Sequence, residues 1–329
     1  MTWSIFSGTD VEWDNVLQGL NSTSPFALSR WASARQRGRW RIARITRAEG
    51  DSVVSALQVH WFRTARLFTV AWVPGGVAGR IDFSSSELLR AISSISSSPA
   101  SYIRIAHHTE SDPGSISVLS SHGWVRAKKS IGAEETILLQ RTSDLLANKA
   151  ALSSNWARNL ERGRKRSGVT EVWADPDPLE VHDLMSQMSE FKRGKGPTSI
   201  PTAQSLDQLF AAFKDQLVVV HTRNEANELV AVRGAFVIGS SAWDAIAAAN
   251  AEARKSYASY NCAWKLLEIL DSMGVERFDL AGVDPVNNEG VYNFKKGLGG
   301  RQIKYLGEWD ATYPRWIRPL VGTAVSRLR

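Results

Sequence analysis

Phe278-Asp279-Leu280-Ala281-Gly282-Val283-Asp284-Pro285 leads through a short polar stretch into Gly290-Val291-Tyr292-Asn293-Phe294-Lys295-Lys296-Gly297-Leu298-Gly299-Gly300. Tyr305-Leu306-Gly307-Glu308-Trp309 follows closely. The pattern reads as a strand ending at a glycine, a short helix, then a basic glycine-rich turn. A strand that splays at a glycine leaves backbone groups unpaired, and a substrate carbonyl or amide can use them. An aromatic–lysine pair beside glycines suits a phosphate or an oxyanion. On residue chemistry alone, a solvated helix end with a glycine stop fits equally well.

Outward from this block, strands and helices alternate. Trp40–Thr46, Ser52–Val59, Arg66–Val73, Ser101–Ala106 and Ile131–Gln140 read as strands, with helices at Ser29–Arg37 and Ser84–Ser97. In the second half, Leu217–Thr222, Leu229–Ile238, Ala242–Ala248 and Arg277–Gly282 read as strands. Asn155–Arg166, Pro178–Glu190, Gln204–Lys214 and Tyr257–Met273 read as helices. The reading is two mixed α/β units that meet near Thr142–Ser153.

The 329 residues also suggest two domains at roughly 150 residues each. With 43% hydrophobic and 22% charged residues, the chain is globular in composition rather than disordered or fibrous. No membrane span and no secretory signal are expected, which points to a cytoplasmic protein. The net charge of +7 is unevenly distributed. Arg30–Arg47 carries +7, Asn155–Gly168 +4 and Lys295–Arg329 +6, which leaves −10 for the remainder. Such segments suit phosphates, though solvated basic faces also account for them.

Several chemistries are set aside. A single cysteine, Cys262, excludes an internal disulfide framework and a multi-cysteine zinc site. The six histidines lack zinc-helix spacing, and no Gly-x-Ser-x-Gly elbow is present. The glycine runs at Gly75-Gly76 and Gly297–Gly300 match neither a dinucleotide fingerprint nor a Walker loop. No metal site is expected.

The Phe278, Gly290 and Tyr305 blocks together resemble the C-terminal signature of the FemABX-type non-ribosomal peptidyl transferases, which use aminoacyl-tRNA. Phe26-Ala27-Leu28-Ser29-Arg30-Trp31, Trp72-Val73-Pro74-Gly75-Gly76 and the Arg-rich stretch from Asn155 are similar to further family segments, in the same order. The resemblance implies two tandem GNAT-like acyltransferase domains of mixed α/β (α+β) type, without a coiled-coil arm. The first would comprise residues 1–142 plus about 305–329, the second 143–304. The implied activity is transfer of an aminoacyl group from aminoacyl-tRNA, as co-substrate and without a cofactor, to a primary amine of a peptide or muropeptide-type acceptor, nucleotide- or lipid-linked. A monomer is expected, cytoplasmic or peripheral at the inner membrane face.

The resemblance also distributes roles. Lys295, placed by Phe294 and the Gly297–Gly300 turn, would support the transition state. Arg35, Tyr257, Tyr260 and Arg193 would bind the acceptor. Arg158, Arg162, Lys165, Arg166, Lys296, Arg301 and Lys304 would carry tRNA through salt-sensitive contacts. Two departures stand out: Ala106-His107-His108 replaces an acidic residue and proline, and an Arg and Tyr that hold the acceptor phosphate in the family are missing. An acyl-CoA N-acyltransferase of the same fold and a non-enzymatic RNA-binding protein remain as alternatives. The amino acid moved and its acceptor are not legible in the chain.

Overall fold

The structure, a computed structural model, describes residues 3–35, 38–64, 67–142, 144–191, 200–318 and 321. Two compact units form: Met1–Glu134 with Lys304–Arg329, and Glu135–Ile303.

In the first unit the strands are β1 (Trp3–Ile5), β2 (Arg41–Glu49), β3 (Ser52–Thr64), β4 (Phe68–Val73), β5 (Ala78–Gly79), β6 (Ala100–Glu110) and β7 (Val125–Arg126). The helices are α1 (Asp10–Gly19), α2 (Ser29–Arg35), α3 (Ser85–Ser96) and α4 (Pro113–Ser121). Thr9 and Glu12 form a capping box that starts α1, and this helix buries Trp13 and Leu17. The sheet runs β1-β2-β3-β4-β6 and then the strand Arg301–Tyr313, with β5 beside β3 and β7 beside that last strand. Among the described residues of this unit only β4 and β6 are parallel, paired from Phe68↔Ala100 to Val73↔Ile105, and α3 makes the crossover between them. Leu88, Leu89 and Ile92 of α3 pack with Leu57, Val59, Ile103 and Trp124.

The last strand is held by charge as well as by its ladder. It pairs antiparallel with β6 from Tyr305↔Glu110 to Tyr313↔Ser101. Arg104 on β6 donates to Asp310 Oδ1 at 2.7 Å and Oδ2 at 3.0 Å, and to Glu308 at 3.1 Å. Glu308 Oε1 also accepts from the amides of Ile131 and Gly132, both at 2.7 Å. That bond turns the chain at Ile131, so the strand expected from Ile131 begins only at Glu135.

In the second unit the strands are β8 (Glu135–Gln140), β9 (Val169–Val172), β10 (Leu217–Arg223), β11 (Leu229–Ile238), β12 (Ser241–Ala249) and β13 (Arg277–Gly282). The order is β8-β13-β12-β11-β10-β9, with β12 and β13 parallel and the other neighbours antiparallel. The helices are α5 (Leu145–Ala150), α6 (Ser154–Arg166), α7 (Pro178–Phe191), α8 (Ala203–Ala212), α9 (Ala251–Ser256), α10 (Ala258–Ser272) and α11 (Glu289–Lys296).

Strand alternation sorts these helices onto two faces. Val220, Val230 and Ala231 pack with Trp156 and Leu160 of α6 and Cys262, Leu266 and Leu270 of α10. Val219, Val232, Ile246 and Ala248 pack with Val181 and Leu184 of α7 and Leu206 and Phe210 of α8. Gly163 lets α6 approach α10, because a Cβ there would lie 2.8 Å from the Tyr257 carbonyl.

Candidate active site

The parallel pair opens where its ladder stops. β12 and β13 match Ser241↔Arg277, Ala242↔Phe278 and Trp243↔Asp279, and no pair follows. Each strand is irregular at that point. Against β11, Ala235↔Asp244 is followed by Gly234↔Ile246, so Ala245 is bulged. Against β8, Asp279↔Leu138 is followed by Gly282↔Thr136, and Ala281 holds a φ of 56°. Asp279 Oδ1 fixes that kink, accepting from Thr136 Oγ1 at 2.5 Å and the Ala281 amide at 2.8 Å. Bulges of this kind re-aim side chains and carbonyls.

Lys295 of α11 reaches into the opening. Its Nζ donates to the Leu280 carbonyl and to the Gly282 carbonyl at 3.1 Å. Longer contacts reach Ala281 O at 3.5 Å and Asp244 Oδ2 at 3.6 Å. Arg233 Nη2 donates to the same Oδ2 at 2.9 Å. All three side chains are less than a tenth exposed. Burial lowers the Lys295 pKa from its usual value, and the Asp244 carboxylate opposes that shift.

An aromatic wall continues from this cluster. The Phe294 ring lies 5.0 Å from Tyr260 and 5.7 Å from Trp156, with the Arg233 guanidinium 5.3 Å from its centre. Tyr257 follows 6.2 Å beyond Tyr260, and its hydroxyl accepts from Arg162 Nη1 at 3.2 Å. Arg162, Tyr257, Tyr260, Phe294 and Arg233 thus form one connected line of side chains, and Arg233 meets Lys295 at Asp244 Oδ2. A buried cation at the parted strands can meet charge developing on a carbonyl oxygen, and the wall can seat a flat group.

Other expected residues stand apart from it. Arg158, Lys165 and Arg166 are exposed on α6, and Arg158 donates to Asn155 at 2.9 Å. Lys296 is exposed over Tyr292, 5.4 Å from its ring centre, and Arg301 and Lys304 are exposed on the last strand. The Arg35 side chain and Arg193 lie outside the described residues.

The carbonyls of β13 hold the Lys295 ammonium, while the glycine turn ends α11 at Gly297 and lets it pack closely: a Cβ on Gly299, at φ 87°, would lie 2.1 Å from Ala151 O, and one on Gly300 would lie 2.5 Å from Leu139. One detail of the sequence reading needs correction. Tyr257 is not the first turn of a helix. It sits at φ 61° between α9 and α10, which sets its ring at the Arg162 end of the wall.

Sequence reasoning missed Arg233 and Asp244. A signal for Arg233 existed, because a lone arginine inside the apolar run Leu229–Ile238 needs a buried partner. Cys262 is a core thiol, as its place in the helical pattern suggests. It donates to Val220 O at 3.3 Å, and burial pushes its pKa up to about 12.

Comparison with known proteins defines the class first. The fold is that of tandem GNAT proteins. One from the clavulanic acid biosynthesis pathway is 13% identical, with 94% of this chain and 98% of that chain covered and a TM-score of 0.57. L-PGS from Bacillus licheniformis is 13% identical at a TM-score of 0.56, covering 97% of this chain and 96% of that one. The crystal structure of FemX matches at a TM-score of 0.78 and 14% identity, over 97% of this chain and all of the other. Residues 182–317 match the model of the FemAB family. The FemABX-type resemblance, with its GNAT-like mixed α/β fold, therefore holds. No protein of curated function matches the sequence.

Proposed function

We propose that the protein transfers an aminoacyl group from aminoacyl-tRNA to a primary amine of a peptide or peptidoglycan-precursor acceptor. The observation that carries this reading is Lys295 held in the opening between β12 and β13. An ammonium has three N–H donors, and two are taken by Leu280 O and Gly282 O. The third faces Ala281 O at 3.5 Å and Asp244 Oδ2 at 3.6 Å, long contacts that it would exchange for a substrate oxygen.

The ester on a tRNA end is already activated. As the acceptor nitrogen bonds to its carbonyl carbon, charge gathers on the carbonyl oxygen, where Lys295 stabilises it. The carbon–oxygen bond to the ribose then breaks, the ribose oxygen takes the proton that the amine nitrogen gives up, and an amide remains. Positioning and electrostatics suffice for this, with no covalent intermediate. The Phe294–Tyr260–Tyr257 wall, whose tyrosines were expected to bind the acceptor, offers the terminal nucleoside a surface to stack on in this reading. Arg162 at its end, with Arg158, Lys165 and Arg166, continues it with phosphate-binding charge.

An acyl-CoA donor is less well served. A pyrophosphate would need free amides where a turn opens a helix after β12. There the Asn250 side chain already caps α9 by accepting from the Ala253 amide at 3.1 Å. The deciding experiment supplies the protein with charged total tRNA or with acyl-CoA, each against a panel of peptide amines. Amide formation that requires charged tRNA supports the reading, and formation from acyl-CoA alone overturns it.

A further inference from the structure

Asp244 has one oxygen too few in use. Its side chain is 6% exposed, and Oδ2 is shared between Arg233 and Lys295. Oδ1 is buried as well and accepts no hydrogen bond from any described residue. Buried carboxylate oxygens are rarely left this way, and each case calls for an explanation. The carboxylate cannot swing round to satisfy Oδ1 without giving up the Arg233 bond at 2.9 Å. The bulge at Ala245 sets this side chain at the point where β12 leaves β13.

We propose that Asp244 Oδ1 accepts an N–H from an amino group of the substrate, making Asp244 a positioning residue for the amine chemistry beside Lys295. This rests on the aminoacyl-transfer reading. Both oxygens belong to one planar group whose other oxygen faces Lys295, so the amino group is held next to the site of developing charge. Charge-assisted N–H bonds to a carboxylate are the strong ones, and this carboxylate oxygen is shielded from bulk solvent. Two sources share the chemistry: the α-amino group of the aminoacyl donor and the reacting amine of the acceptor.

The test measures binding, so it does not depend on turnover. The donor probe is 3′-alanylamino-3′-deoxyadenosine, whose amide resists hydrolysis; the acceptor probe is a lysine-containing tripeptide. Each is titrated calorimetrically beside its N-acetylated form into wild type, Asp244→Asn and Asp244→Glu. Asp244→Glu keeps the charge but moves the oxygen, so it serves if Asp244→Asn does not fold. Wild type is expected to prefer the free amine of one probe by about 10- to 100-fold. Both variants lose that preference, and the probe affected identifies the source.

Equal preference in wild type and variants overturns the inference, as does a wild type that prefers neither free amine. The aminoacyl-tRNA reading fails separately. If wild type makes no amide from charged tRNA yet shows an Asp244-dependent amine preference, the donor is wrong and the role of Asp244 stands.

Discussion

Lys295→Ala separates a catalytic cation from a structural one. The side chain makes two main-chain hydrogen bonds and faces Asp244, so its removal takes a donor from the Leu280 and Gly282 carbonyls and leaves Asp244 with Arg233 alone. Unsatisfied buried groups cost about 1–3 kcal/mol. For a unit of this size that lowers Tm by about 2–12 °C. The catalytic loss is larger. Removing one donor to a developing oxyanion costs about 10²–10³ in kcat. The assay is transfer from charged tRNA under saturating acceptor, run at 20 °C once a thermal melt shows the variant folded. The expected pattern is a fall in kcat with the acceptor KM nearly unchanged, the mark of an interaction made only in the transition state. Near-full turnover in a folded variant would refute the reasoning and leave Lys295 as a strap between α11 and β13.

Replacing Arg162, Lys165 and Arg166 together with alanine is expected to weaken tRNA binding and reduce the slope of log K against log salt by about 2–3, measured by filter binding over a salt series. An unchanged slope would remove α6 from the RNA surface. Arg104→Met leaves Asp310 and Glu308 buried beside an apolar side chain. It should destabilise the first unit by about 3–5 kcal/mol in urea unfolding, with Asp310→Asn in the same background recovering part of the loss. Burial holds His60, His107 and His108 neutral, with pKa values lowered from 6.5 to about 4, 3 and 4. Their contribution is complete above pH 6.5 and is lost as pH falls toward 4, by about 1.4 kcal/mol per pH unit for each histidine. Melts between pH 7 and 4.5 read this directly, and a flat Tm over that range would contradict it.

The alternation of strands and helices was legible because apolar periodicity is local. The setting of Lys295 and Phe294 was legible too, since their block combines a strand end, a helix and close-packing glycines within a short span. What holds Lys295 was not. Asp244 sits in Ser241-Ala242-Trp243-Asp244-Ala245-Ile246, which reads as an ordinary strand. Its partner strand begins at Arg277, and only the parallel pairing of the two sets the carboxylate beside the amine. The last strand, Arg301–Tyr313, was also unread as a strand. Gly307 and the acidic Glu308 and Asp310 interrupt its pattern, and those acids are buried only because Arg104 meets them from a distant segment. Tyr257 misled for the opposite reason: its neighbours are helical, and the left-handed break between α9 and α10 carries no glycine to announce it.

The split of the first unit has a consequence in time. Arg104 on β6 leaves the ribosome 204 residues before Glu308 and 206 before Asp310. At about 5–20 residues per second that is a wait of roughly 10–40 s. Throughout it, an arginine destined for the interior has no counter-ion and β6 shows an open edge. The second unit, whose sequence is unbroken from Glu135 to Ile303, can fold meanwhile. The first unit is begun first and finished last, so a nascent-chain holdase has its longest opportunity at the β6 edge.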